Sequence, residues 1–167
     1  CRHMAYTCIC ACGPNPAVLH YGHAGRPNSR LVKEGDMALL DMGAEYHCYA
    51  ADITCSFPVV SRSVGQVDRS TAFSPDQRLV YEAVLGAQRA VIAALQPGAS
   101  WLELHRTAER TILRSLLGGG VLTRGDGAGE GHCVGGDVEA HEDGTEASID
   151  EMLAADLGAV FMPHGLG

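Results

Sequence analysis

The amino-acid sequence predicts an α+β protein, in which strands and helices occupy separate parts of the chain. Three observations support this class. β-Rich segments fill residues 4–57, two stretches with apolar residues at helical spacing follow between 74 and 117, and no repeat of fixed period is present. Strands that precede helices, instead of alternating with them, are typical of α+β architecture. A chain of 167 residues is long enough to bury a core and suits one domain.

The strands are predicted from β-rich runs and the turn residues between them. Residues 4–12 and 17–21 are two such runs, separated by the sequence GPNP, and a loop follows. Two further strands are expected at 36–42 and 47–57. The polar residues 61–72 are interpreted as a loop insertion.

Two helices are marked by capping boxes and by breakers at their ends. Ser74 and Gln77 form the box of the first helix, and Ser100 and Glu103 form that of the second. A Pro-Gly pair ends the first helix, and a run of three glycines ends the second.

The last third of the chain is predicted to hold a second insertion. Residues 123–148 are rich in glycine and acidic residues and almost free of large apolar ones, so we expect a flexible segment without packed contacts. A short helix at 149–160 should then lead into a buried strand formed by the apolar sequence GAVFM. Since the chain starts at Cys1 and ends within the sequence PHGLG, we expect it to be truncated at both ends.

Charge and cysteine content limit the possible partners and location. The formal charge of −8 argues against a nucleic-acid partner and against anionic membrane surfaces, and no apolar run approaches the roughly 18–20 residues of a membrane span. Seven cysteines, an odd number, favour reduced thiols and a cytoplasmic location over a disulfide scaffold. Three of them, Cys8, Cys10 and Cys12, alternate along one predicted strand, so a soft-metal thiolate site is the alternative.

Two aspartates stand out because they interrupt apolar, β-rich sequence. Ten residues separate Asp41 from Asp52, so a hairpin that turns at Tyr46-His47 would place them directly opposite each other, with Cβ atoms roughly 4.5–5.5 Å apart. Two ionised carboxylates at that distance repel, unless one holds a proton or a cation such as Mg, Mn or Zn lies between them. Tyr-His is a poor two-residue turn, and we expect that a turn displaced by one residue would put the aspartates on opposite faces. The alternative to a metal pair is that one aspartate caps a turn and the other faces water.

Three segments resemble prolidases of the eukaryotic type, the Xaa-Pro dipeptidases among the pita-bread metallopeptidases. They are LHYGHAG, DMGAEYHCYAADITCSFP and GAVFMPHGLG. The resemblance implies a partial pita-bread fold, with an antiparallel sheet and helices on one side of it. It also implies metal-dependent hydrolysis of dipeptides with a C-terminal proline, two divalent metal ions, of which Mn suits best, and a homodimer in the full-length protein.

The same resemblance implies roles for individual residues. Asp41 would bind one metal ion and Asp52 would bridge both, with Thr54 donating a hydrogen bond that supports Asp52. His20 and Tyr6 would contact the substrate. His164 would be a catalytic residue beside the metal ions and not a ligand. Because pita-bread folds also occur in binding proteins, a non-catalytic fragment or binding protein is the alternative.

Overall fold

Short strands come first and helices follow in the computed structural model, which describes residues 1–22, 29–60, 73–123 and 142–166. The strands are β1 His3–Met4, β2 Ile9–Cys12, β3 Met37–Met42, β4 Ala44–Tyr46, β5 Tyr49–Ala50 and β6 Ile53–Pro58. The helices are α1 Pro75–Ala94, α2 Trp101–Gly118, α3 Glu142–Ala154 and α4 Leu157–Phe161. The chain divides into two units, Cys1–Gln77 and Arg78–Gly167, and the predicted α+β class is confirmed.

The first unit contains two antiparallel three-stranded sheets, with strand orders β1-β4-β5 and β2-β3-β6. In the second sheet the central strand β3 pairs on both sides, so that Asp41 lies between Ile9 of β2 and Thr54 of β6. Apolar side chains of β2 and β3, including those of Ala11 and Ala38, are buried. The centre of this sheet therefore supports the end of β3, where Asp41 lies.

The hairpin formed by β4 and β5 turns at His47-Cys48, one residue later than predicted. Both turn residues have positive φ, 48° and 68°, and Tyr46 pairs with Tyr49 across the turn. Such φ values match the right-handed twist of the strands. The side chain of Glu45 stabilises the turn by accepting a hydrogen bond from the Cys48 N–H.

Displacing the turn by one residue changes every cross-strand partner by two residues, which keeps the side chains on the same face. Asp41 is therefore paired with Thr54, and Asp52 lies two residues before Thr54. The carboxylates of Asp41 and Asp52 converge on one side, because the Tyr6 hydroxyl contacts both. The expectation that Asp41 and Asp52 lie directly opposite each other was wrong. The expectation that a turn displaced by one residue puts them on opposite faces was also wrong.

Two strand predictions in the first unit need correction. The segment 17–21 is not a strand, and a 3-10 helix spans Asn15–Ala17. Prolines 14 and 16 favour this turn, because each fixes φ and lacks an N–H for a sheet. The single strand expected at 47–57 is divided into β5 and β6, with a break at Ala51 and Asp52.

Both long helices begin at their predicted capping boxes. The Ser74 N–H donates to the Gln77 side chain at 3.0 Å, and the Gln77 N–H donates to the Ser74 hydroxyl at 3.2 Å. At α2, the Ser100 hydroxyl accepts from the Glu103 N–H at 3.4 Å. The apolar faces of these helices meet in a buried cluster of Ala87, Ala108, Ile112 and Leu116.

The predicted insertion at 123–148 extended too far, because α3 begins at Glu142. Ile149 of α3 is completely buried, and Glu146 pairs with Arg110 and Arg114 of α2, with the shortest distance, 2.6 Å, to Arg114 Nη2. These contacts stabilise a helix in sequence that is rich in glycine and acidic residues. The predicted insertion at 61–72 and residues 124–141 of the other lie outside the described residues.

The apolar sequence GAVFM forms most of helix α4 and not the predicted strand. Its first carbonyl, that of Gly158, accepts a hydrogen bond from the Met162 N–H at 2.9 Å, as in a helical turn. Short apolar runs do not distinguish a strand from a buried helix by periodicity, which explains the error. Among the described helices, none is both long and apolar enough to span a membrane.

Candidate metal centre

Asp41 and Asp52 lie on one face of the first unit, at the end of β3 and directly before β6. Asp41 is half-buried and Asp52 is exposed. The pairing of Asp41 with Thr54 places the Thr54 side chain on this same face. Asp41 thus lies on β3, whereas Asp52 lies in the break directly before β6, the antiparallel neighbour of β3.

Tyr6 joins the two carboxylates. Its hydroxyl donates to Asp41 Oδ1 and lies 2.9 Å from Asp52 Oδ1. Because one oxygen lies within hydrogen-bond distance of both carboxylates, the two Oδ1 atoms are at most about 6 Å apart. Desolvation of Tyr6, its hydrogen bonds to both aspartates and their negative charge raise the pKa of the phenol above its ordinary value.

A bulge between β1 and β2 brings Tyr6 to this position. Met4 pairs with Ala44 and Ile9 with Asp41, so four residues, 5–8, lie opposite only two, 42 and 43. The Ala5 N–H still donates to the Gly43 carbonyl at 2.9 Å, which holds the start of the bulge. Bulges redirect side chains in this way and are common beside functional sites.

Gly43 is required for this close approach, and the sequence analysis missed it. A Cβ at this position would lie 1.6 Å from the Ala51 carbonyl oxygen and 2.8 Å from Cε1 of Tyr6. Only glycine therefore fits between the backbone of Ala51, directly before Asp52, and the ring of Tyr6. The sequence offered one signal for this role, which was a glycine two residues after the candidate ligand Asp41.

The donor chemistry of this centre fits a divalent cation. Two carboxylates that converge on one hydroxyl supply hard oxygen donors, and their mutual repulsion is relieved by a positive ion between them. Within the described residues, however, no group of three or more histidine, cysteine or acidic side chains is placed to hold a metal ion. Among the described residues, this centre therefore offers two carboxylate groups, those of Asp41 and Asp52.

The remaining predicted residues lie elsewhere in the two units. His20 lies in a turn of the first unit, shortly after the 3-10 helix. His164 belongs to the second unit and lies in the turn after α4. The structure thus brings Tyr6, Asp41 and Asp52 into contact, with Thr54 paired to Asp41.

The alternating cysteines are free thiols with different surroundings. Cys8 contacts Met4, with 3.4 Å between the sulfur atoms, Cys10 is exposed and Cys12 is buried. The other described cysteines, at positions 1, 48 and 55, are also free. The described thiols therefore form neither a disulfide nor a three-ligand thiolate group.

Comparison with known proteins gives one family and several close relatives. The profile of metallopeptidase family M24 matches residues 1–163. Human Xaa-Pro dipeptidase is 47% identical over 166 residues, which are 99% of this chain and 27% of that protein. The rat Xaa-Pro dipeptidase is 45% identical over the same shares. This chain therefore spans about a quarter of the length of these curated relatives.

Solved structures give the fold. An aminopeptidase of Pseudomonas aeruginosa matches with a TM-score of 0.67 and 33% identity, over 95% of this chain and 28% of that chain. The prolidase of Pyrococcus furiosus matches with a TM-score of 0.51 and 29% identity, over 70% of this chain and 30% of that chain. These neighbours have the pita-bread fold, and the predicted partial pita-bread fold is confirmed.

Proposed function

The chain belongs to metallopeptidase family M24, and we propose that it is part of a longer enzyme, here called the complete protein, which hydrolyses Xaa-Pro dipeptides and releases proline. The observation that carries the proposal is the contact of the Tyr6 hydroxyl with both Asp41 and Asp52. Like charges held this close, with a hard oxygen between them, favour a cation site over a purely structural pair. The human and rat relatives, 47% and 45% identical to this chain, are named Xaa-Pro dipeptidase.

Asp41 and Asp52 would hold two divalent metal ions, with Mn²⁺ preferred. When bound, such ions lower the pKa of a water molecule and polarise the carbonyl of the scissile bond. Tyr6 holds both carboxylates in place through its hydroxyl, and Thr54, on the same face, would orient Asp52 by donating a hydrogen bond. Further ligands would come from segments of the complete protein beyond this chain.

Two histidines and Tyr6 would act on the substrate. His20 and Tyr6 would bind the dipeptide, and His164 would donate a hydrogen bond to the carbonyl oxygen as negative charge develops there. The proline nitrogen of an Xaa-Pro bond carries no N–H, so recognition must use other atoms of the substrate. The complete protein would act as a homodimer in the cytoplasm.

Two other functions compete with this one. The matching structure from Pseudomonas aeruginosa is an aminopeptidase, which favours removal of an N-terminal residue from longer peptides. A non-catalytic binding protein of the same fold is favoured by the absence, among the described residues, of a group with three or more metal-binding side chains.

The test measures proline release by the complete protein, first freed of metal and then supplied with Mn²⁺, Mg²⁺ or Zn²⁺. We expect Mn²⁺-dependent cleavage of Gly-Pro and little cleavage of Gly-Pro-Ala. Asp52→Asn should abolish turnover, because a neutral amide is a poorer bridging ligand than a carboxylate. Asp76→Asn, which removes a carboxylate from the first turn of α1, is the matched control and should leave turnover unchanged.

Each alternative has its own outcome. Preferential cleavage of Gly-Pro-Ala would favour the aminopeptidase. If the complete protein shows no turnover with any of the three metal ions, the binding protein is favoured. Full activity of Asp52→Asn would refute the assignment of Asp52 as a ligand. Residues 1–167 alone should show no turnover above background, because they lack the further ligands.

A further inference from the structure

Glu109 of α2 is the one charged residue that is buried among the described residues, with 9% of its surface exposed. A buried carboxylate is unfavourable unless a partner compensates its charge or donates hydrogen bonds to it. Nothing in the proposed chemistry uses this side chain, so its burial requires another explanation.

The partner of Glu109 is His105, one helical turn earlier. His105 Nε2 lies 3.2 Å from Glu109 Oε1, and the two side chains are 29% and 11% exposed. Residues four apart lie on one face of a helix, so this pair needs no other element to form it. The carboxylate therefore fixes the orientation of the His105 ring.

Two glycines in the segment 142–166 lie against the side chains of this pair. A Cβ on Gly158 would lie 2.5 Å from Glu109 Oε1, and a Cβ on Gly165 would lie 3.2 Å from His105 Cε1. The backbone of α4 thus lies directly against the carboxylate, and the turn after α4 lies against the imidazole. Gly165 has a φ of +74°, a conformation that side chains disfavour, so both space and geometry select glycine there.

The residues between these two contacts are also held. Met162 and Leu166 pack against the cluster that contains Ala108 and Ile112, and the Gly165 N–H donates to the Met162 carbonyl at 3.1 Å. His164 lies within this segment, directly before the glycine that contacts His105. The place of the His164 backbone is therefore set by the surface that His105 and Glu109 present.

We propose that the His105–Glu109 pair is a positioning site, which fixes the turn at 163–165 and thereby the imidazole of His164. Its consequence for turnover rests on the proposed function, in which His164 contacts the substrate. A displacement of about 1 Å in such a group can lower a rate by two orders of magnitude, so the pair would influence kcat without touching the substrate.

The test uses three variants of the complete protein. His105→Leu removes the partner of Glu109 at similar volume. His105→Gln keeps an N–H donor on a side chain that can reach Glu109. Arg106→Gln is the matched control, because it removes an exposed ion pair to Glu103, at 3.2 Å, from the same helix.

Two readouts separate positioning from stability. The first is the NMR signal of the His164 ring, identified by its loss in His164→Asn, and the second is the division of the effect between kcat and KM. We expect His105→Leu to shift or broaden the His164 signal and to lower kcat roughly 10- to 100-fold with little change in KM. His105→Gln should restore both, and Arg106→Gln should alter neither.

Every outcome decides the proposal. An unchanged His164 signal and kcat in His105→Leu would overturn it, as would a His105→Gln variant that is as impaired as His105→Leu. If His105→Leu does not fold, Glu109→Gln, which keeps the volume, must show the shifted signal. If the complete protein releases no proline from any dipeptide, the proposed function fails, and the His164 signal alone then decides whether the pair positions the turn.

Discussion

Carboxylates are held in two different ways in the two units of this molecule. In the first unit, Asp41 and Asp52 share a Tyr6 hydroxyl and carry charges of the same sign. In the second unit, Glu109 is buried against His105, whose Nε2 lies 3.2 Å from Glu109 Oε1. A pair of like charges gains stability from an added cation, whereas a carboxylate with its own partner does not. This difference distinguishes a candidate ligand site from a structural contact.

The largest effect should follow from Gly43→Ala, which breaks the first arrangement. The added methyl group would lie 1.6 Å from the Ala51 carbonyl oxygen, so the strands must separate and Tyr6 must move. We expect a loss of roughly 2 kcal/mol or more in the free energy of unfolding, together with weaker Mn²⁺ binding. Chemical denaturation and metal titration of the complete protein measure both.

Gly118→Ala is the matched control for that substitution. A Cβ at Gly118, at the end of α2, meets no atom within 4 Å. Its stability should equal or slightly exceed that of the wild type, since alanine favours a helix. Equal stability of Gly43→Ala and Gly118→Ala would show that the close approach of the Ala51 backbone and the Tyr6 ring does not require glycine at position 43.

A smaller effect is expected from Tyr6→Phe, which leaves the two carboxylates without their shared donor. We expect the metal-free protein to lose about 1 kcal/mol of stability, because a hydrogen bond is lost and the repulsion of the aspartates is less compensated. Mn²⁺ should restore most of this loss, as seen in melting temperatures with and without the ion. Tyr49→Phe, at a side chain that is 81% exposed, should change neither value. A loss that Mn²⁺ cannot restore would contradict the comparison.

Asp36 sharpens the comparison, because it is a carboxylate with a partner in the first unit. Arg30 Nη2 lies 2.6 Å from Asp36 Oδ1, and the Lys33 N–H donates to Oδ2 at 2.9 Å. The hydrogen bond from Arg30, followed by that from Lys33, lowers the pKa of Asp36 below its ordinary value. The stability that this pair contributes is therefore complete above the ordinary aspartate pKa and is lost as the pH falls through the lowered pKa.

The measurement is thermal unfolding of wild type and Asp36→Asn between about pH 7 and about pH 3. We expect the variant to be less stable near neutrality and the difference to shrink in acid. A difference that stays constant with pH would show that the charge of Asp36 does not contribute. Mn²⁺ should leave the difference unchanged, unlike that of Tyr6→Phe.

The smallest effect should come from Glu146→Gln on α3. Glu146 is paired with Arg110 and Arg114, but about half of its side chain is exposed, at 45%, so water weakens the ion pairs. We expect a loss of about 0.5 kcal/mol that disappears at high salt. Glu151→Gln, on the same helix, is the control. A loss of several kcal/mol would show that Glu146 contributes to stability in the way expected of a buried pair such as His105 and Glu109, and not of an exposed one.

Helix ends were predictable because their determinants are local. The hydrogen bonds between Ser74 and Gln77 join residues three apart, so the sequence displays both partners together. The contacts of helix α3 are instead distant in sequence: those of Glu146 are to Arg110 and Arg114, which lie 36 and 32 residues away. No local pattern shows such a contact, and composition alone favoured a flexible segment.

For the candidate site, the shared face of the two aspartates was predictable, but the register of the strand pairing was not. The turn at His47-Cys48 uses two residues with positive φ and without the Asn-Gly signature, so its position could not be read from residue types. The bulge that directs Tyr6 toward the aspartates depends on pairing between strands that are distant in sequence. The roles of Asp41, Asp52, Thr54, His20, Tyr6 and His164 as ligands, substrate contacts or catalytic groups remain predictions.

Strand β2 carries a natural reporter of its own opening. Cys10 is exposed, whereas Cys12, two residues later on the same strand, is 5% exposed. A pulse of thiol-specific alkylating reagent should therefore label Cys10 at once and Cys12 only when the strand separates from its neighbours. Because β2 pairs with the strand that carries Asp41, the ratio of the two labels, read by peptide mass spectrometry, records how often the aspartate site loses its support. Unmodified protein suffices for this measurement, without a dye or an engineered cysteine.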